Sequence, residues 1–333
     1  MYGPGGSRWI GAILLLTAAN FLWAGQGVAV KLLEGSLGPL TIALFPLHCV
    51  TVVGLLALAL SGDLPGRLRV AWRFRREFVL AGICGQLIAQ VGMTLGVSWS
   101  TASDGAILSL LIPIFGAVLA VCLLRERLSS LRISALLLGF AGVYLLSPLH
   151  HATGHRTPAH ELAGNCLIAI GCFGSAFYNV YSKRLLNQFT AFEALLFSYL
   201  STTIFSLPVL FLLEPHCLVS LKGLSPAQWA AFFYVAILLY GVSMVLFLRA
   251  LGSVDAIVAS ASIYLLPLFG VALAFGILGE RLSPRAVVGS SVVLLATLVL
   301  FRHDFVGNRR GSQSAGFTES SNHFPDGTEE LCR

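Results

Sequence analysis

The feature that most constrains this chain is a stretch that it carries twice. Ala102–Ser129 reads ASDGAILSLLIPIFGAVLAVCLLRERLS and Ala256–Ser283 reads AIVASASIYLLPLFGVALAFGILGERLS. A shift of 154 residues superposes them without a gap and makes 12 of 28 positions identical. Pro113 falls on Pro267, Phe115-Gly116 on Phe269-Gly270, and Glu126-Arg127-Leu128-Ser129 on Glu280-Arg281-Leu282-Ser283. Shared apolar composition explains Leu on Leu. It does not explain a shared Pro followed at fixed distance by the same charged tetrapeptide. A fold built from two copies of one unit is the consequence.

The solvent for that fold follows from what surrounds the repeat. Only 11% of the 333 residues are charged, 56% are hydrophobic, and the mean hydropathy is +0.85. Soluble domains carry roughly 25% charged residues, and a water-soluble fold could not cover this much apolar surface. The chain is read as an all-α protein that crosses a membrane many times. Seven cysteines are scattered without a CxxC pair, which argues against a disulfide framework or a zinc site. The apolar run after Arg8 continues to about Val30, too long for a signal peptide, and is taken as the first span.

A helix needs about 20 apolar residues to cross a bilayer. Ten stretches qualify: Trp9–Leu32, Pro39–Leu60, Phe78–Ser98, Ala102–Leu124, Leu131–Leu149, Ala163–Ser182, Ala191–Leu213, Gln228–Leu248, Ala256–Leu278 and Arg285–Phe301. Their length and richness in Leu and Ala favour helices over barrel strands, which are short and alternating. With the N-terminus in the cytoplasm, 15 Lys and Arg near span ends fall inside and 5 outside. The positive-inside rule therefore places both termini in the cytoplasm. The Arg67–Arg76 run is an inside anchor for anionic lipid, with nucleic acid a poor alternative.

Five spans per copy is an odd number, so the second copy enters the membrane upside down. Residues 9–149 form the first five-helix repeat, 150–162 an outer linker, 163–301 the second repeat, and 302–333 a polar, disordered cytoplasmic tail. Inverted repeats are the plan of secondary transporters, with the solute site between the halves near mid-membrane.

The duplicated segment, with its Pro and its closing "RERLS" or "GERLS", resembles the EamA-type carriers of the drug/metabolite transporter superfamily. The first span, ANFLWAGQGVAVKLL, is similar to the opening span of such carriers, with Trp23-Ala24 where Trp-Gly is usual. The resemblance covers about Trp9 to Phe301. It implies a ten-helix inverted-repeat carrier of small metabolites, often moving them outward, and does not name one solute.

His48 is the main ionisable residue deep in a span; Asp104, Glu126, Glu193, Asp255 and Glu280 fall at span ends. A carrier of organic phosphates or nucleotide sugars would want a buried Lys or Arg, and a proton-driven cation exporter a mid-span carboxylate. Neither is evident. The cavity is expected to use amides, hydroxyls and aromatic rings, which suit neutral, zwitterionic or amphipathic metabolites such as amino acids.

The repeat selects among polar residues. Gln86 maps to Tyr240 at the offset of 154, and Gln26 to Asn179 at 153. Gln86, Gln90 and Thr94 share one helical face, Asn20, Trp23 and Gly27 another, and Tyr240 and Ser243 a third. Tyr264 lies nearly one turn before Pro267. The substrate-binding candidates are Asn20, Trp23, Gln26, Gln86, Gln90, Asn179, Tyr240, Ser243 and Tyr264. Each also has a plain reading as a hydrogen bond between helices, at about 0.6 kcal/mol on average. Pro113 and Pro267 are candidate gating kinks, or static bends. Glu126-Arg127 and Glu280-Arg281 read as structural turn charges, and Gly139 and Gly142 as sites of close helix packing.

His150, His151, His155 and His160 crowd the linker without Cys or regular spacing and read as a solvated loop rather than a metal site. No nucleotide-binding motif exists, and no cofactor is expected. The expected partners are the bilayer and a small-molecule solute, not nucleic acid, with a monomer as the working unit. The leading function is a secondary carrier, an exporter working by alternating access. The alternatives are an organic-phosphate or nucleotide-sugar antiporter, and an intramembrane enzyme with His48 as its lone base.

Overall fold

The computed structural model describes residues 4–100, 108–146, 158–266, 268–269, 288–289 and 291–302. Among the described residues the regular elements are helices, and one isolated bridge joins Glu34 and Leu37. In chain order they are α1 (Pro4–Ala24), α2 (Gln26–Leu33), α3 (Pro39–Leu60) and α4 (Leu64–Arg73). Next, α5 (Arg75–Leu80) runs through a π-helical segment, Ala81–Leu87, into α6 (Ile88–Trp99). Then come α7 (Leu111–Leu119, prolonged by π turns at Ala120–Leu124), α8 (Ser130–Leu146), α9 (Pro158–Leu185), α10 (Ala191–Leu213) and α11 (Cys217–Lys222). Last, α12 (Pro226–Phe233) passes through a second long π segment, Tyr234–Ser243, into α13 (Met244–Leu251), followed by α14 (Ala256–Ala261), a 3₁₀ turn at Ser262–Tyr264, and α15 (Ser291–Arg302).

Among the described residues, five helical stretches are long and apolar enough to cross a bilayer: Pro39–Leu60, Arg75–Gly96, Leu162–Leu185, Ala191–Leu213 and Pro226–Leu251. Four shorter apolar helices, Arg8–Ala24, Leu111–Leu124, Ser130–Gly142 and Ser291–Arg302, accompany them. Large apolar side chains such as Leu60, Val53, Leu137, Leu212 and Leu298 stand exposed on their outer faces, where lipid rather than water is the matching solvent. Pro267, Glu280 to Ser283, most of the linker and the tail beyond Arg302 lie outside the described residues.

The first span, expected to be continuous over Trp9–Leu32, is broken at Gly25. In an unbroken helix the Gln26 N–H would take the Leu22 carbonyl. That carbonyl instead accepts the Tyr234 hydroxyl at 2.6 Å. The Tyr234 ring lies against Gly25, where an added Cβ would come within 2.9 Å of its Cζ.

α3 and α10 are sequence equivalents, 152 residues apart at their first residues, and they pack antiparallel. Their contacts run along the pair in opposite directions. Glu214, just past the end of α10, accepts from the N–H groups of Leu40 and Thr41 at 2.9 Å each and from the Thr41 hydroxyl at 2.5 Å. Further along, His48 Nε2 lies 2.8 Å from Ser206 Oγ, and Thr51 Oγ1 lies 3.1 Å from Thr203 Oγ1. Thr51 and Thr203 occupy the same place in their copies, so this contact joins a position to its own equivalent. Such a pairing is what a two-fold-like relation between these two helices gives.

The same relation repeats in the flanking seams with different filling. α5–α6 packs antiparallel on α9 through glycines: an added Cβ on Gly92 would fall 2.9 Å from the backbone of Gly171, and one on Gly96 2.7 Å from Ile168 N. The equivalent seam, α1 against α12–α13, is filled by rings. Trp23 packs on Phe247 with centroids 5.4 Å apart, beside Tyr234. Small residues let backbones approach where aromatics would hold them apart.

Candidate functional site

The two long π segments fall at matching places. Shifting Ala81–Leu87 by 154 residues gives 235–241, which lies within Tyr234–Ser243. A π turn inserts one residue into the helical ladder and re-aims the side chains beyond it, and such turns cluster at functional sites. The first carries Gln86 and the second Tyr240, the pair that the repeat singles out. Both side chains are buried.

They belong to one uncharged polar cluster without bonding each other. The Tyr240 hydroxyl donates to Gln90 Oε1 at 2.8 Å, one turn past Gln86. The Tyr199 hydroxyl donates to the Tyr240 carbonyl at 3.2 Å. Tyr178, fully buried on α9, looks onto Gln86, Ser182 and Ser198. Thr202 Oγ1 lies 3.0 Å from the Gly82 carbonyl and 3.1 Å from the Ser198 carbonyl. Among the described residues the Tyr178 hydroxyl and the Ser182 and Ser201 Oγ atoms have no hydrogen-bond partner. Polar atoms this deep cost about 1–3 kcal/mol each when they go unpartnered.

The remaining candidates spread over a wider neighbourhood. Asn20, on α1, donates to the Leu16 carbonyl at 2.8 Å and to Ser262 Oγ at 3.0 Å, while its Oδ1 has no partner among the described residues. Tyr264 donates to the Leu136 carbonyl at 3.1 Å, with its ring against Gly139. Gly142 lies as close to Val293. Trp23 packs on Phe247, Gln26 is half-buried at the start of α2, and Asn179 is buried on α9. The Ser243 hydroxyl turns back to its own Leu239 carbonyl. Gln86, Gln90 and Tyr240 are therefore brought into one cluster, whereas Asn20 and Tyr264 hold the 262–264 turn against α1 and α8.

Pro113 is buried in the first turn of α7, where its missing N–H costs little. The prolines that interrupt long helices are Pro46 in α3 and Pro208 in α10. They stand two residues before His48 and two residues after Ser206, which places them at facing levels of the antiparallel pair. Sequence reasoning passed over both, together with Tyr178, Tyr199, Ser182, Ser198, Ser201 and Thr202. Ser198, Ser201 and Thr202 at i, i+3 and i+4 form one helical face, a signal that was available.

At one end of the bundle, charges tie the copies together. Glu126, from the duplicated tetrapeptide, accepts from Lys183 Nζ at 2.8 Å and from the backbone of Ala256 and Ile257. Arg132 pairs with Asp255, which also lies 3.8 Å from Lys183. Glu126 and Arg132 belong to the first copy, Lys183 and Asp255 to the second.

Comparisons with known proteins bear on the family and the fold. The model of the EamA-like transporter family matches twice, over residues 9–147 and 162–302. A protein of Streptantibioticus cattleyicolor named as a probable terminal-alkyne amino-acid exporter is 24% identical over 305 residues, covering 92% of this chain and 98% of its own. An uncharacterized transporter of Archaeoglobus fulgidus is 24% identical over 299 residues, 89% of this chain and 99% of its own. One solved crystal structure shares the fold with a TM-score of 0.71 at 18% identity, over 88% of this chain and 97% of its own.

Proposed function

Because the chain belongs to the EamA-like transporter family, we propose that it is a secondary carrier with ten spans in two inverted five-helix halves, exporting small neutral, zwitterionic or amphipathic metabolites, amino acids among them, by alternating access. The observation that carries this reading is the self-equivalent contact of Thr51 with Thr203 between antiparallel α3 and α10. Two halves related in this way can exchange conformations, and the exchange moves the opening from one membrane face to the other.

The solute class rests on chemistry. The cluster around Gln86, Gln90, Tyr178, Tyr199 and Tyr240 offers amide and hydroxyl groups and aromatic faces, without a buried Lys or Arg to hold a phosphate. The name of the Streptantibioticus relative points the same way. The Lys and Arg bias supports cytoplasmic termini.

The test is uptake and efflux in proteoliposomes with pooled metabolites, read by mass spectrometry. Movement of amino acids or similar solutes supports the reading. Selective movement of nucleotide sugars or organic phosphates replaces it with the antiporter alternative.

A further inference from the structure

Among the described spans, His48 is the one Asp, Glu, Lys, Arg or His that lies away from a span end. It stands near the midpoint of α3, 5% exposed, at the crossing with α10. Nε2 is 2.8 Å from Ser206 Oγ, and Nδ1 has no partner among the described residues. An ionisable side chain in this setting is expensive and marks function by default. Its surroundings are also the most interrupted part of the pair, with Pro46 and Pro208 on facing levels. One turn away is the Thr51–Thr203 contact that marks the axis between the copies. The residue equivalent to His48 in the second copy is Leu200, so the imidazole occurs once per carrier.

We propose that His48 is the proton-binding site of this protein, and that its protonation couples solute movement to a pH gradient. The proposal rests on the carrier reading above. In the tautomer whose Nε2–H donates to Ser206 Oγ, the Nδ1 lone pair is the acceptor. The proton adds there to give an imidazolium and leaves by the same bond, so one proton is carried and nothing else changes. A site beside the axis can face either membrane surface as the halves exchange.

Other groups on the elements packed against α3 are committed elsewhere. Taking Ser206 as the level of His48, Glu214 is about 12 Å along the helix and is bonded to Leu40 and Thr41. Glu193 is about 20 Å away and pairs with Arg67 of α4; Arg69 and Arg73 lie on the same short, exposed helix. Tyr199 is about 10 Å along α10, and its hydroxyl serves Tyr240, whose own hydroxyl serves Gln90. Tyr234 donates to Leu22. Cys49 is the neighbour on α3 itself, and α6 and α12 bring no titratable side chain. Among the described residues no fixed counter-charge is left beside the imidazole.

The experiment uses the full chain in proteoliposomes loaded with the twenty L-amino acids, read by mass spectrometry, with the membrane potential clamped by valinomycin and equal potassium. Exchange at equal pH tests the carrier reading by itself. With a gradient of one pH unit, the wild type should accumulate the exchanged amino acids up to about tenfold, the ratio set by one proton per solute. His48→Gln, and His48→Leu as the residue of the second copy, should exchange as before and accumulate nothing. Wild-type exchange without accumulation, or accumulation by either variant, overturns the proposal and leaves the carrier reading standing. A solute-independent arm follows ¹⁵N-labelled histidine in nanodiscs by NMR from pH 4 to 8. A titrating signal absent from His48→Gln supports the proposal even if no amino acid moves. A His48 signal that stays neutral throughout overturns it.

Discussion

Glu126 of the first copy caps a helix of the second. Its carboxylate accepts from the N–H of Ala256 at 2.7 Å and of Ile257 at 3.1 Å, while Lys183 donates to it at 2.8 Å. Asp255, which occupies the position before the helix, makes no cap of its own and pairs instead with Arg132 and Lys183. A carboxylate at a helix N-terminus gains from both the free N–H groups and the helix dipole.

Glu126→Ala should therefore destabilise the protein by about 2 kcal/mol, the loss of a cap together with a charged hydrogen bond. Glu126→Gln should lose less, because its amide oxygen still accepts. The check is thermal unfolding in detergent, where the alanine variant should melt a few degrees lower and the glutamine variant between the two.

A second prediction concerns the seam between α6 and α9. A Cβ on Gly92 would lie 2.9 Å from Cα and N of Gly171, which are backbone atoms and cannot step aside. Gly92→Ala should force the helices apart and cost about 1–3 kcal/mol, as overpacking does. Gly11→Ala is the control, since nothing lies within 4 Å of its added methyl and alanine is the better helix former. Detergent melting should show a clear drop for Gly92→Ala and no drop for Gly11→Ala.

The polar cluster yields a third. Tyr240→Phe removes the hydroxyl that reaches Gln90, and Gln86→Ala removes its equivalent in the other copy. Each should cut amino-acid flux in proteoliposomes about tenfold, a loss of about 1.4 kcal/mol, at unchanged expression. Tyr240→Phe combined with Gln90→Ala should fall short of the product of the single effects, because both delete one hydrogen bond. Wild-type flux in Gln86→Ala and Tyr240→Phe alike would remove these residues from the site.

Topology supplies the fourth. Reporter tags fused to the two ends should both read cytoplasmic, in keeping with the Lys and Arg bias across the spans. Tags on opposite faces would break the inverted-repeat reading.

The helices and the repeat were legible in the sequence because both are written in local pattern. Apolar length marks Pro39–Leu60 without knowledge of its neighbours, and the shared tetrapeptide announces the duplication. Gln86 and Tyr240 could be paired by offset alone. What sequence could not show depends on contacts between distant segments. At the break at Gly25, Tyr234, more than 200 residues later, reaches the Leu22 carbonyl. Glu126 reads as a turn charge in the sequence, and only the fold brings the start of α14 to its carboxylate. The π segments have no signature of their own, and Pro46 and Pro208 gain meaning only when α3 and α10 are seen to cross. Pro267 and Glu280 lie outside the described residues.

The two seams that duplication made equivalent have diverged, glycine on glycine in one and Trp23 on Phe247 in the other. Prying apart a close backbone contact and sliding tilted rings past each other are unequal tasks, so for a carrier built this way the half-turnovers are not mirror images. The idle population then gathers in whichever state keeps closed the seam that is harder to open. Half-saturating concentrations measured from the two membrane faces will accordingly differ, even though the final solute ratio obeys the driving gradient alone.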